Sequence, residues 1–171
     1  MRLITGGRYQ GKTAYAGRLA GAEAVVLDGA AAETIETVRS GSLEEFYGRC
    51  SGADVLDHCE VLIETLLFLP EARRLCGQEG SDTPGQIDID RLFSFLWEIF
   101  DEIIRRRPDM IFVMAEMGAG VVPIDRHLDC VREQCGRIAC KLAEHADSVD
   151  RMICGCPVRI RGKVEKNDVE I

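Results

Sequence analysis

Residues Gly6-Gly7-Arg8-Tyr9-Gln10-Gly11-Lys12-Thr13 follow the spacing G-x-x-x-x-G-K-[ST], and each fixed position has a chemical task. Glycines let the backbone turn tightly and aim its N–H groups at phosphate oxygens. A lysine at Lys12 reaches the β- and γ-phosphates of a nucleoside triphosphate, and the Thr13 hydroxyl sits on Mg²⁺. The spacing predicts a P-loop that binds ATP or GTP, with Arg8, Tyr9 and Gln10 completing it. A second stretch, Glu116-Met117-Gly118-Ala119-Gly120-Val121-Val122-Pro123, sets an acid directly after an apolar run. At the carboxyl end of a buried strand an acid lies where ligands of open α/β sheets collect. There it would hold Mg²⁺ through water or take a proton from an attacking hydroxyl. A helix-capping or loop-bracing glutamate is the plainer alternative.

These residues need elements to hold them. Arg2-Leu3-Ile4-Thr5 reads as a short strand before the loop, and residues 13–20 as the helix that the loop opens. Ala24-Val25-Val26-Leu27-Asp28 is a second short strand, closed by a turn at Asp28-Gly29. Residues 33–50 lean helical, with Ser42-Leu43-Glu44-Glu45 resembling a capping box. Residues 53–60 are a strand or the opening turns of the apolar helix over 61–69, and periodicity leaves both open. Residues 77–88 form a loop, residues 90–107 an amphipathic helix stopped before Pro108, and residues 110–115 a strand buried on both faces. A long helix is predicted over 124–147 and a last strand over 149–154, the latter weakened by Asp150 and Arg151. Alternation of this kind predicts an α/β fold, a P-loop NTPase-like three-layer sandwich whose mostly parallel sheet carries helices on both faces.

At 171 residues the chain is the size of one domain, and residues 1–171 are read as a single P-loop nucleotide-binding domain. The net charge of −8 argues against a nucleic-acid partner, because phosphate backbones need a basic surface. No apolar run approaches the roughly 20 residues of a membrane-spanning helix. The first residues already build a strand and a P-loop, so no signal peptide is expected. Eight cysteines without a secretory signal read as reduced thiols in a cytoplasmic protein. Cys154-Gly155-Cys156 lacks the matching pair of a zinc site, and Cys130, Cys135 and Cys140 step off any common helix face.

The two motifs together resemble the adenosylcobinamide kinase/adenosylcobinamide-phosphate guanylyltransferase family of cobalamin biosynthesis. The resemblance rests on Thr5-Gly6-Gly7-Arg8 with Gly11-Lys12-Thr13, and on an E-x-G-x-G-[IV]-V-P loop matched from Glu116 to Pro123. It continues through Arg126, Arg132-Glu133, Gly136-Arg137, Leu142-Ala143 and Ala146-Asp147 to a turn at Gly155-Cys156-Pro157. It covers residues 3–20 and 110–162 and is faint between them. Two departures stand out. The family carries GMP on a histidine after its second strand, yet residues 28–52 hold no histidine; His58 lies instead where the family has an acid-cysteine pair. The family's Asn-Gln pair on the long helix is Ala139-Cys140 here.

The resemblance implies a kinase that moves the γ-phosphoryl of ATP or GTP to the hydroxyl of adenosylcobinamide, with Mg²⁺ and with guanylyl transfer in doubt. Lys12, Glu116 and Asp57 are the catalytic candidates; Asp57 and Glu60 flank His58 and offer carboxylates for Mg²⁺ beside Thr13. Arg8 or Arg126 would steady developing charge. His58 is a substitute nucleophile or a structural residue, and His127 and His145 fall at solvated helix positions with no chemistry. The resemblance also implies a homo-oligomer, a trimer by analogy. The competing reading is a divergent nucleotide-binding protein with a regulatory role or another small-molecule acceptor.

Overall fold

Short apolar runs become one sheet: β1 Arg2–Gly6, β2 Val26–Asp28, β3 Val55–Asp57, β4 Ile111–Val113, β5 Ser148–Ile153 and β6 Cys156–Arg161. The computed structural model describes residues 1–75, 88–118, 120 and 122–162. Strand order is β2-β3-β4-β1-β5-β6, with the first five parallel and β6 antiparallel to β5. Between them run α1 Lys12–Ala20, α2 Ala32–Arg39, α3 Leu43–Ser51, α4 Cys59–Leu66, α5 Pro70–Leu75, α6 Ile89–Arg106 and α7 Arg126–His145. This is the α/β architecture the alternation predicted.

The period of two in the strands sorts side chains between the two faces. Leu3, Leu56, Phe112 and Val149 join the larger core, under Phe46, Leu62, Leu96, Phe100 and Ile138 of the helices. Ile4, Val55, Val113 and Met152 point the other way, against Tyr15 and Ala16 of α1. Helices therefore cover both faces unequally. Among the described residues the second core is roofed by α1 alone. No helix among them is long and apolar enough to cross a membrane.

Several local expectations are corrected. Residues 53–60 divide into β3 and the start of α4, with His58 in a left-handed conformation between them. The capping box at Ser42 is not made, since its side chain caps nothing. Residues 77–87 of the predicted loop lie outside the described residues, while Asp88 caps α6 by accepting from the Arg91 N–H at 3.0 Å. The strand β6 was not foreseen. Cys154 and Gly155 both take positive φ, the two-residue turn that suits a twisted hairpin, and it folds Pro157-Val158-Arg159 back along β5. The charges that weakened β5 are accounted for by this return: Asp150, 1% exposed, pairs with Arg159, and Arg151 points outward to Glu116.

Two glycines test how tightly β1 is held. Gly6 has φ +137°, and a Cβ there would sit 2.6 Å from the Met152 carbonyl oxygen on β5. Gly17, inside α1, would meet nothing within 4 Å. Gly6→Ala should cost about 2 kcal/mol or more, whereas Gly17→Ala should stabilise by about 0.5–1 kcal/mol. Urea denaturation followed by circular dichroism checks both signs.

Candidate functional site

The loop between β1 and α1 leaves the carboxyl edge of the sheet with two of its glycines, Gly6 and Gly11, where geometry demands them. Gly6 lies too close to β5 for a side chain, and Gly11 opens α1 at φ +85°. No side chain caps the start of α1, so its first-turn N–H groups remain for a ligand. Gln10 anchors the loop to the β5–β6 turn. Its Oε1 accepts from the Cys154 N–H at 2.5 Å, and its carbonyl accepts from the Gly155 N–H at 3.2 Å. Lys12 Nζ donates to the Gly7 carbonyl at 2.8 Å, folded across the loop it would serve. Tyr9 projects fully into solvent.

Facing this loop is the turn between β3 and α4. Arg8–Ala14 on one side and Asp57, His58, Glu60 and Val61 on the other enclose a cleft of about 570 Å³, with Ala115 lining it as well. Asp57 is 2% exposed and accepts the His58 N–H at 2.7 Å. Glu60, 6% exposed, accepts the Ala115 N–H at 2.9 Å and so ties α4 to the end of β4. These acids act on Lys12. Burial lowers its pKa, Arg8 pushes the same way, and the charges of Glu60, Asp57 and Glu116 oppose the drop.

His58 is positioned from beneath. Its Nδ1 lies 2.8 Å from Oδ1 of Asp28, at the end of β2, so Nδ1–H donates a hydrogen bond to the carboxylate and Nε2 is the other ring nitrogen. Burial opposes charging the ring, but Asp57, then Asp28 and Glu60, outweigh it and raise the His58 pKa. Gly29 makes this approach possible, since a Cβ there would lie 2.8 Å from the His58 carbonyl oxygen. The three non-glycine residues with positive φ among those described are Tyr9, His58 and Cys154. One is in the loop, one faces it, and one supports it from the β5–β6 turn.

Of the predicted catalytic residues, Lys12 and Asp57 line one cleft, together with Arg8, Tyr9, Gln10, Gly11 and Thr13. Glu116 does not join them. It forks onto Arg151 with two contacts of 2.8 Å and lines a neighbouring hollow. Arg126 stands exposed at the start of α7. His127 is not solvated as expected: its ring packs on Phe68 at 5.0 Å, and its Nε2 is buried without a partner among the described residues. His145 is exposed and stacks on Trp97. Sequence reasoning passed over Asp28, treating Asp28-Gly29 as a turn; its place at a strand's carboxyl end was the available signal.

A divalent cation fits the donor chemistry here. The Thr13 hydroxyl and the carboxylates of Asp57 and Glu60 are hard oxygen donors at the cleft. Among the described residues no three His, Cys, Asp or Glu side chains form a metal cage by themselves. That suits an ion completed by phosphate oxygens and water. Of the buried thiols, Cys50 and Cys135 are pushed up to about 12 by burial and stay uncharged.

Removing the Asp28 charge should loosen the hold on His58. Asp28→Asn is expected to lower the pH at which the His58 ring titrates, read from its ¹H–¹³C NMR signals. An unchanged midpoint would mean that Asp57 and Glu60 set it without Asp28.

Comparison with family models matches residues 30–160 to the family described as cobinamide kinase / cobinamide phosphate guanyltransferase. A comparison with curated proteins finds no match. The family match begins beyond the phosphate loop, so the loop and the family are two separate indications of nucleotide chemistry. Covering well over half of the chain, it makes this protein a member of the cobinamide kinase / cobinamide phosphate guanyltransferase family, enzymes of cobalamin biosynthesis that modify cobinamide with nucleoside triphosphates.

Proposed function

We propose that the chain is a nucleoside-triphosphate-dependent kinase that transfers the γ-phosphoryl group of ATP or GTP to the hydroxyl of adenosylcobinamide. The observation that carries this reading is the cleft in which Lys12 and Thr13 face the buried acids Asp57 and Glu60. Phosphoryl transfer asks the protein to position the triphosphate, balance its charge and hold the acceptor in line. In this reading, the N–H groups of residues 7–13 cradle the phosphates, and Lys12 swings from the Gly7 carbonyl to the β- and γ-oxygens. Thr13, with Asp57 or Glu60, would hold Mg²⁺. When bound, the ion would offset charge developing between the β- and γ-phosphoryl groups. Asp57 orients the acceptor hydroxyl, whose oxygen bonds to the γ-phosphorus as the β–γ bridge breaks and the nucleoside diphosphate leaves. Glu116 is the weaker candidate for that role, because Arg151 neutralises it at 2.8 Å.

The reading extends to a homo-oligomer in the cytoplasm, as the family resemblance implies. Ile153, Val158 and Ile160 leave an exposed apolar edge on the β5–β6 hairpin for such contacts.

One geometric feature favours a second reading. The Asp28–His58 pair presents an oriented imidazole to the cleft. An imidazole so held is equipped to attack the α-phosphorus of GTP as the α–β bridge breaks and pyrophosphate leaves, and so to retain guanylyl transfer by a route other than the missing histidine. A nucleotide-binding regulatory protein is the third outcome.

Incubation with adenosylcobinamide, Mg²⁺ and ATP or GTP, followed by mass spectrometry of the corrins, separates the three. Cobinamide phosphate alone is the expected product. GDP-cobinamide that disappears in His58→Gln would establish the second reading. Unaltered cobinamide with both nucleotides would leave the regulatory one. Lys12→Ala should lower the kinase rate at least about 100-fold, as loss of a transition-state contact does, with the circular dichroism spectrum unchanged. Near-normal turnover in that variant would overturn the mechanism.

A further inference from the structure

The nucleotide cleft does not end at Ala115. That residue also lines a second hollow of about 370 Å³, with Thr5, Glu116, Met117, Gly118, Cys135, Gly136 and Ala139 as its other walls. Gly118 and Gly136 in turn border an open furrow of about 620 Å³ between α6 and α7, bounded by Phe93, Arg137, Cys140 and Lys141. Shared lining residues set the three cavities side by side along a path from the phosphate loop, past the Glu116–Arg151 pair, and along α7.

The electrostatics change along this path. At the cleft, the loop N–H groups, Lys12 and Arg8 suit a polyanion. Beyond Ala115 each cation meets an acid: Arg151 with Glu116, Arg132 with Asp129, Arg137 with Asp90, and Lys141 with Glu144. A furrow whose cations are each paired with an acid offers little to a phosphate chain. It suits a bulky ligand of low charge whose one arm reaches the cleft.

Gly136 adds an observation of a different kind. It sits in the interior of α7, where glycine destabilises a helix relative to alanine. Gly6 and Gly29 are required by close backbone, but a Cβ on Gly136 would meet nothing within 4 Å. Gly17 and Gly48 share that open space inside their helices, but of the three Gly136 alone lines the hollow and the furrow, at the junction between them.

We infer that the hollow and furrow are the acceptor subsite: the ring system of the cobinamide lies along α7 over Gly136 and Ala139, and its hydroxyl arm passes Ala115 to the γ-phosphate. This rests on the kinase reading for the direction of transfer, but binding can be measured without turnover. Gly136 and Ala139 are then residues that determine acceptor specificity, and neither lines the phosphate-loop cleft.

The test uses Gly136→Leu and Ala139→Leu, with Gly136→Ala as the mild control. Equilibrium dialysis against adenosylcobinamide, followed by the visible absorption of the corrin, reads acceptor binding directly. Calorimetry reads ATP or GTP. Both leucine variants should weaken acceptor binding tenfold or more and leave nucleotide Kd within twofold, and Gly136→Leu should keep or raise Tm, because a Cβ there meets nothing within 4 Å. Where turnover is present, acceptor KM should rise in step, with kcat little changed. Acceptor binding equal to the wild type in folded leucine variants would overturn the inference, as would a wild-type chain that binds no cobinamide. A wild-type chain that binds cobinamide but phosphorylates none would sink the kinase reading and leave the subsite standing.

Discussion

Everything at the carboxyl edge of this sheet depends on how closely β1 is pressed against β5. Gly6 has no room for a side chain because the Met152 carbonyl stands where a Cβ would be. The same contact continues past the sheet, where Gln10 grips the backbone of the β5–β6 turn through Oε1 and its carbonyl. The phosphate loop is thus held at both ends, by the β1–β5 ladder and by a hairpin beyond it. This gives the late, antiparallel β6 a purpose that its sequence did not advertise. Its turn is one wall of the support, and its Arg159 pairs with the buried Asp150. A loop that must present N–H groups to an anion cannot rearrange on binding without losing part of the binding energy. Rigid support from β5 serves that requirement.

Parallel strands deliver their chain ends to a common edge, and that delivery assembles the acids. Asp28 ends β2, Asp57 ends β3, and Glu116 lies three residues past β4. The burial of Asp57 and Glu60 would be costly without compensation, and their hydrogen bonds from the His58 and Ala115 N–H groups supply part of it. The left-handed backbone at His58 adds strain of order 1 kcal/mol. That strain turns α4 away from the strand so that Glu60 points back toward β4. It also places the imidazole over Asp28.

The parts of this arrangement that the sequence discloses are those governed by local rules. The glycine spacing from Gly6 to Gly11, followed by Lys12-Thr13, is meaningful only between a strand and a helix, and both neighbours read clearly. The buried run around Phe112 and the amphipathic α6 were equally open, because their patterns come from the layer they occupy. What stayed hidden depends on distant partners. Asp28 looks like half of a turn until His58, thirty residues on, is brought to it by the pairing of β2 with β3. The strand β6 has a proline and alternating arginines, and only the buried Asp150 explains Arg159. Glu116 read as a catalytic acid because its place at a strand end is suggestive, and Arg151 from another strand changes that meaning.

The same cross-strand geometry bears on why a family member would keep the phosphate loop while lacking the expected histidine. Phosphoryl transfer to a hydroxyl is direct: its demands fall on the loop, on Lys12 and on one acid, all held by β1, β3 and β5. Guanylyl transfer through a covalent intermediate needs an additional nucleophile in line with the α-phosphorus, a separate requirement that can be lost without disturbing the loop. Here residues 28–52 contribute no imidazole, while the turn after β3 contributes one already oriented by a carboxylate. The ring lies in the cleft between the loop and the turn after β3, held by Asp28. The kinase reading stands on the loop; the second half-reaction turns on which way the Nε2 of His58 points once a nucleotide is bound.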